Sequence, residues 1–142
     1  MTEATSFRAA TRWKPTPYQL RRGRIAMEKA FNRSGNLPLR AFAMRSGRSV
    51  SDVLLAVRRR RLLGLRIGKR GPHIPAWQLE AIPRRLTEKL LRDSHDVDEW
   101  TLYFALSRPY EEFGDRIPIE VVTFGSFERV YAEILTRLGI HL

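Results

Sequence analysis

The chain contains no cysteine. That excludes disulfides, iron–sulfur ligation and thiolate zinc sites, and it suits a reducing, cytoplasmic compartment. Histidine is scarce too: His73, His95 and His141 are the three present, and no two share the i, i+4 spacing that sets a pair of imidazoles on one helix face. No metal site and no cofactor are therefore expected. Long apolar runs are missing as well. Val53 to Val57 is an uninterrupted run of five, against roughly 20 residues for a membrane span, so no span is expected. Residues 1–14 hold no apolar stretch of signal-peptide length, and residues 1–15 read as a flexible basic tail. Acidic residues are nearly absent from the first part of the chain. Residues 1–79 carry eighteen Lys and Arg against three Asp and Glu, whereas residues 80–142 carry eight against twelve, formal charges of +15 and −4.

With 142 residues, 43% of them apolar, the chain suffices for one domain or two small ones tightly joined around a modest core. The charge split suggests two tasks. A basic half in which Arg58, Arg59, Arg60 and Arg61 run unbroken has the electrostatic footprint of a surface that neutralises phosphates.

Thr16 and Pro17 supply a cap and a first helical residue, and a helix with Leu20, Ile25, Met27, Ala30 and Phe31 in rough helical spacing follows, ending at residues 32–35. Leu37-Pro38 opens a short helix with apolar Leu39, Phe42 and Ala43, stopped at Ser46-Gly47. Ser49 then caps another. Its Val50, Val53, Leu54 and Val57 fall within an arc of about 60°, leaving Ser51, Asp52, Leu55, Arg58 and Arg59 on the outside. Arg61 would turn back toward the core, which predicts an end near Arg60. Two helices about a tight glycine turn, the second with a polar and basic outer face, have the sequence form of a helix-turn-helix. Residues 63–67 and 73–77 bracket Gly68-Lys69-Arg70-Gly71 and predict a two-stranded hairpin with a basic tip, a wing.

Beyond Trp77 the texture changes. Pro83 to about Arg92 reads as a helix carrying Leu86, Leu90 and Leu91. Asp96 and Glu99 stand in capping-box spacing before a helix with Trp100, Tyr103, Phe104 and Leu106 that Pro109 ends. Residues 110–116 read as a loop, Ile117-Pro118 as the start of a short helix, and Gly125-Ser126 as the start of the last. There Phe127, Val130, Tyr131, Ile134, Leu135 and Leu138 keep helical spacing without a miss, up to Gly139. The fold class is thus expected to be mainly α: an N-terminal helix plus helix-turn-helix with a short β-hairpin wing over residues 16–79, then a small all-α partner-binding domain over residues 80–142.

Three pieces of the stretch from Leu39 to Leu138 resemble the Xre/MbcA/ParS type of antitoxin. The first runs from Arg48-Ser49-Val50-Ser51-Asp52 through Leu62-Leu63-Gly64-Leu65-Arg66-Ile67-Gly68. The second, His73-Ile74-Pro75-Ala76-Trp77-Gln78-Leu79, is similar to the Phe-Pro-Ala-Trp-Gln-Phe joint that leads into the family's C-terminal domain. The third is Pro109, then Phe113-Gly114-Asp115-Arg116-Ile117-Pro118-Ile119-Glu120-Val121-Val122, with Gly125 and Val130, which resembles the family's Pro, Leu-Gly-Gly-Arg-Ser/Thr-Pro and a following Gly and Val. Asp115 stands at the second glycine and Ile117 at the Ser/Thr. An Asp tolerates left-handed backbone better than most residues, and the missing hydroxyl removes a cap for the helix begun by Pro118. The resemblance implies a bipartite regulator of a bacterial cytoplasm, nucleoid-associated when bound: its basic part binds operator DNA and its C-terminal domain binds and blocks a RES-type toxin that consumes NAD. It also implies that Phe113, Gly114, Asp115, Arg116 and Pro118 meet that partner.

From the residues themselves, Arg58 and Arg59 are the candidates for base edges, since Arg bonds guanine O6 and N7 in bidentate fashion. Ser49, Ser51, Arg60, Arg66, Lys69 and Arg70 are candidates for phosphate, and Arg48 is a further candidate for DNA contact. His73, beside the wing, could approach phosphate, and His95 and His141 read as surface residues. Trp77, Trp100, Tyr103 and Phe104 are expected in the core or between the halves, because large aromatics supply buried area and these lack the interleaved Arg of an RNA platform. Asp96, Asp98, Glu99, Glu111, Glu112 and Asp115 have no nucleophile, phosphate loop or triad beside them, so no enzyme is expected. A homodimer on paired half-sites is expected. Two alternatives stay open: a free-standing DNA-binding regulator without a toxin, and a structural RNA-binding protein.

Overall fold

The side chain of Thr16 accepts from the Gln19 amide and the Gln19 side chain accepts from the Thr16 amide, a reciprocal cap that starts helix α1 (Pro17–Phe31) with proline at its first position. In the computed structural model, which describes residues 16–140, the fold is mainly α with one small two-stranded antiparallel sheet. The expected tail over residues 1–15 and the surface reading of His141 lie outside the described residues. α1 enters the core only at its C-terminal end, while its earlier turns border an open cleft with Arg66, Ile67 and Gly68. Ala30 and Phe31 are buried while Leu20 and Ile25 stay exposed, so the apolar spacing along α1 is not a core stripe.

Strand β1 (Asn36–Pro38) leads directly into α2 (Leu39–Ser46). Gly47 ends α2 in the left-handed region at φ 72°, where a Cβ would be strained. Ser49 then caps α3 (Val50–Arg58), its hydroxyl accepting from the Asp52 amide at 3.0 Å. Phe42 and Ala43 of α2, Val53 of α3, Leu62 and Ile74 form a small core of their own. A side chain of that size contributes about 1.5–3 kcal/mol when fully buried.

The expected hairpin of residues 63–67 with residues 73–77 does not form. Strand β2 (His73–Pro75) pairs instead with β1, Leu37 opposite Ile74, and the 63–67 segment reaches it through a single bridge between Leu65 and His73. The reason is where the backbone groups go. The Leu63 amide donates to the side-chain Oε1 of buried Gln78 at 2.7 Å, and the Leu63 carbonyl accepts from Gln78 Nε2 at 3.0 Å. An amide side chain thus takes the place of a neighbouring strand. Ala76 and Trp77, expected to extend the strand, wind into a 3-10 turn, Ala76–Leu79.

The C-terminal half consists of α4 (Ala81–Asp93), α5 (Glu99–Ser107), a 3-10 turn at Glu111–Phe113, the short α6 (Pro118–Val121) and α7 (Phe127–Leu138). α5 is capped by Asp98, which accepts from the Thr101 amide at 2.8 Å, and not by Asp96. The turn in which the Val97 amide bonds back to the Ser94 carbonyl takes up Asp96 and moves the helix start to Glu99. The larger core ignores the expected division at residue 79. Ala30, Phe31, Leu63 and Leu65 are buried together with Leu86, Leu90, Leu102, Leu106, Val130 and Ile134. The aromatic residues join the two sides: Trp77 stacks on Tyr103 at 5.6 Å between centroids, its Nε1 donates to Thr87 Oγ1, and Tyr103 accepts from buried Asn36. Trp100 and Phe104 pack around them, so the expected core role of these four residues holds.

Candidate nucleic-acid interface

α3 is fixed by what it buries. Val53 points into the small core, and Ser51, Asp52, Leu55, Arg58 and Arg59 on the other side are exposed. Arg48, in the turn before α3, is exposed as well. Ser49 is exposed but its hydroxyl is engaged in the cap.

The helix ends at Arg58, two residues sooner than expected, because Arg60 adopts a left-handed backbone at φ 56°. That reversal sorts the four arginines. Arg60 turns inward, where Nε donates to the Leu91 carbonyl at 3.0 Å and Nη2 to the carbonyls of Ser94 and Val97 at 3.1 and 3.3 Å. The expectation that Arg60 contacts phosphate is therefore corrected: a half-buried guanidinium bonded to carbonyls at the end of α4 and in the turn after it is an internal cap. Arg61, which would have turned toward the core had the helix continued, lies past its end and is exposed.

Beyond it, Arg66 and Lys69 are exposed on the loop that the Leu65–His73 bridge closes. Arg70 is partly engaged. It pairs with Glu28 of α1 at 2.8 Å and its guanidinium lies 5.0 Å above the Phe31 ring. His73 is engaged with α1. Its ring stacks on Phe31 with centroids 3.7 Å apart, and Nδ1 lies 2.6 Å from the Phe31 carbonyl, so that nitrogen carries the proton and donates. The candidates for DNA contact thus gather on the outer face of α3 and on the 66–70 loop, without Arg60.

One further element comes to this surface from the C-terminal half. An open cleft of about 380 Å³ lies between α3 and α4, floored by Leu55 and Ala56 and walled by Arg48, Asp52, Arg59, Arg61, Arg84 and Glu88. Arg84 has no sequence signal for this position, since it sits in a helix whose pattern announces only its buried leucines.

The five residues that resemble a partner-binding motif divide in two. Phe113 is 8% exposed, stacks on Tyr110 and lies under the Arg129 guanidinium, and Pro118 is buried at the start of α6. Gly114, Asp115 and Arg116 are exposed. Gly114 and Asp115 take φ 66° and 62°, the left-handed pair that a Gly-Gly sequence would adopt, and the Asp115 amide donates to the Tyr110 carbonyl at 2.9 Å. Ile117 gives α6 no side-chain cap, as its lack of a hydroxyl predicts.

Around this turn, burial raises the Tyr110 phenol to about 12, and the Arg137 guanidinium covers its ring. Arg137 also pairs with Glu112 at 3.2 Å. The Glu112 carboxyl is held below its ordinary value by its own backbone amide and then by Arg137. At the other end of α7, Tyr131 donates to Asp93, which lowers the Asp93 carboxyl, with nearby Lys89 acting in the same direction. Burial first, and that hydrogen bond second, raise the phenol.

Sequence reasoning also missed an open apolar groove lined by Trp77, Ile82, Pro83, Ile119 and Val122, beside Phe124, which is 84% exposed. No group of three or more His, Asp or Glu that could hold a metal ion occurs among the described residues, and no helix there is long and apolar enough to cross a membrane. No family model, no curated protein and no solved structure matches the chain.

Proposed function

We propose that this protein is a DNA-binding transcription regulator of the antitoxin type, reading duplex DNA with its basic half and engaging a protein partner with its C-terminal half. α2, the Gly47 turn and α3 act as a helix-turn-helix, with α3 as the recognition helix and the 66–70 loop as an abbreviated wing. The observation that carries this reading is the outward face of α3. Its buried side is committed to a core, and the exposed remainder offers Ser51, Arg58 and Arg59 with Arg48, Arg66 and Lys69 nearby. Arg forks suit guanine edges and phosphates. The partner is proposed to be a NAD-consuming RES-type toxin, neutralised by binding, on the strength of the Pro109 to Val130 resemblance. The regulator acts as a homodimer in the cytoplasm and itself catalyses nothing.

The test is competition binding across a range of salt. Labelled palindromic duplex should be displaced by unlabelled duplex and poorly by structured RNA; a preference for RNA would replace this reading with that of an RNA-binding protein. A second reading, a free-standing regulator without a toxin, is favoured by the burial of Phe113 and Pro118, which removes two of the five motif residues from the surface. Affinity capture from the native cell separates the two. Recovery of a small NAD-consuming protein, encoded beside this chain, upholds the antitoxin role, and recovery of DNA alone removes it.

A further inference from the structure

We infer that the cleft between α3 and α4 seats a phosphate of the duplex backbone, so that Arg84, in the half of the chain with net negative charge, belongs to the DNA surface. This rests on the reading of α3 as a DNA-facing helix.

The left-handed turn at Arg60 is the origin of the site. By sending Arg60 inward it throws Arg61 outward, to the side where Arg48 and Arg59 already lie. Arg84, one turn into α4, lines the same opening. Four guanidinium groups therefore share one opening. Asp52 and Glu88 also line it, so the wall carries a formal +2. Among the described residues none of the four arginines makes an ion pair within 4.0 Å; the pairs that form involve Arg70, Lys89 and Arg137.

Arginine's planar fork matches phosphate oxygens two at a time, and clustered forks are spent most economically on an anion with several oxygens. The shape selects the source of that anion. A small-molecule site encloses most of its ligand, whereas this cleft is open to solvent along the side of α3 that bears Asp52, Leu55 and Arg59. A phosphate in a continuous backbone can lie in it while the neighbouring bases meet α3. Contacts of this kind fix orientation without reading sequence.

The test uses the full chain and a random-sequence duplex, with affinity followed by fluorescence anisotropy over a series of salt concentrations. Losing one seated phosphate reduces the magnitude of the slope of log K against log salt by about 0.9. The Arg61→Ala/Arg84→Ala double variant is expected to show that reduction and a several-fold weaker affinity for every sequence. Arg85→Ala, an exposed arginine on the same helix but outside the cleft, controls for net charge and should keep the wild-type slope. Arg84→Lys should keep the slope and lose part of the affinity, a rescue that a folding defect would not show. A double variant with the wild-type slope, or an Arg85→Ala variant equal to Arg84→Ala, overturns the inference and leaves DNA binding by α3 standing. Wild-type protein that binds no duplex overturns that underlying reading. Inorganic phosphate, matched in ionic strength to chloride, should compete no better than chloride. Saturable displacement of the duplex at submillimolar phosphate would make this a free-phosphate site and sink the assignment to DNA.

Discussion

Arg60 reaches from the end of α3 to donate its Nε–H to the Leu91 carbonyl in the last turn of α4, 3.0 Å away. With Ser94 and Val97 it serves three carbonyls. Hydrogen bonds from a charged donor contribute about 1.5–3 kcal/mol, and a left-handed non-glycine residue costs about 1–2 kcal/mol. Arg60→Ala keeps the strain and loses the bonds, so it should lower stability to urea by about 2–3 kcal/mol. Arg60→Gly recovers about 1 kcal/mol of that. Neither should change the salt slope of DNA binding. A slope that falls as it does for Lys69→Ala would return Arg60 to the phosphate contacts.

The proposed DNA recognition by α3 has its own signature. If about six to ten phosphates are neutralised, log K falls with log salt at a slope near −0.9 per contact. Arg58→Ala and Arg59→Ala should each cost about 1–3 kcal/mol of discrimination between cognate and random duplex. Lys69→Ala should weaken both alike. Equal losses on both duplexes for all three variants would show that α3 does not lie in the groove.

Tyr110 makes stability sensitive to alkali. Its folded-state value, about 12, lies above the ordinary phenol value of 10.0 because burial disfavours the phenolate. A raised value means that the stabilisation is complete below pH 10 and is lost between about pH 10 and 12, as the unfolded chain ionises first. Denaturation midpoints should fall across that window, and less so in Tyr110→Phe. Absorbance of tyrosinate should show one ring titrating near 12 that the variant lacks.

Gly64 has no room for a side chain. A Cβ there would meet the two γ-methyls of Val57 at 2.9 and 3.1 Å and Pro72 at 3.5 Å. Gly64→Ala should therefore destabilise the protein by about 1–3 kcal/mol through overpacking. Adding Val57→Ala removes the obstructing methyls, so the double variant should be less destabilised than the two single effects added together. Simple additivity in a thermal or urea melt would mean that the two residues do not collide.

Asp115 tests the tight turn before α6. At φ 62° it sits where glycine is free and other residues are strained, so Asp115→Gly should raise stability by about 0.5–1 kcal/mol and Asp115→Val should lower it. If captured toxin increases in parallel for Asp115→Gly, the exposed turn is part of the partner surface.

Legibility followed the range of the interactions. α7 and the caps at Thr16 and Ser49 depend on residues within a few positions, and the sequence pattern located them. The left-handed tolerance of Asp115 was likewise a local property. The wing was misread because β2 has two candidate partners in sequence, and the choice fell to β1, upstream of α2, once Gln78 had satisfied Leu63. Periodicity carries no information about such a side-chain substitute for a strand. Arg60 was misread for a related reason. Four identical residues in a row hide which one turns inward, and the carbonyls that decide it lie at the end of a different helix. Arg84 depended on how α4 crosses α3, which no spacing within either helix encodes.

The pairing of β1 with β2 ties the chain between Asn36 and Pro75 into a loop closed at its base. The chain enters α2 through β1 and returns from α3 through β2 at one neck, which Arg60 and buried Leu63 and Leu65 brace against the C-terminal helices. A helix pair mounted in this way does not swivel on a tether. If α3 lies in a groove as proposed, a partner that grips the far helices would set the angle at which it does so, and in the proposed dimer the distance between two such helices.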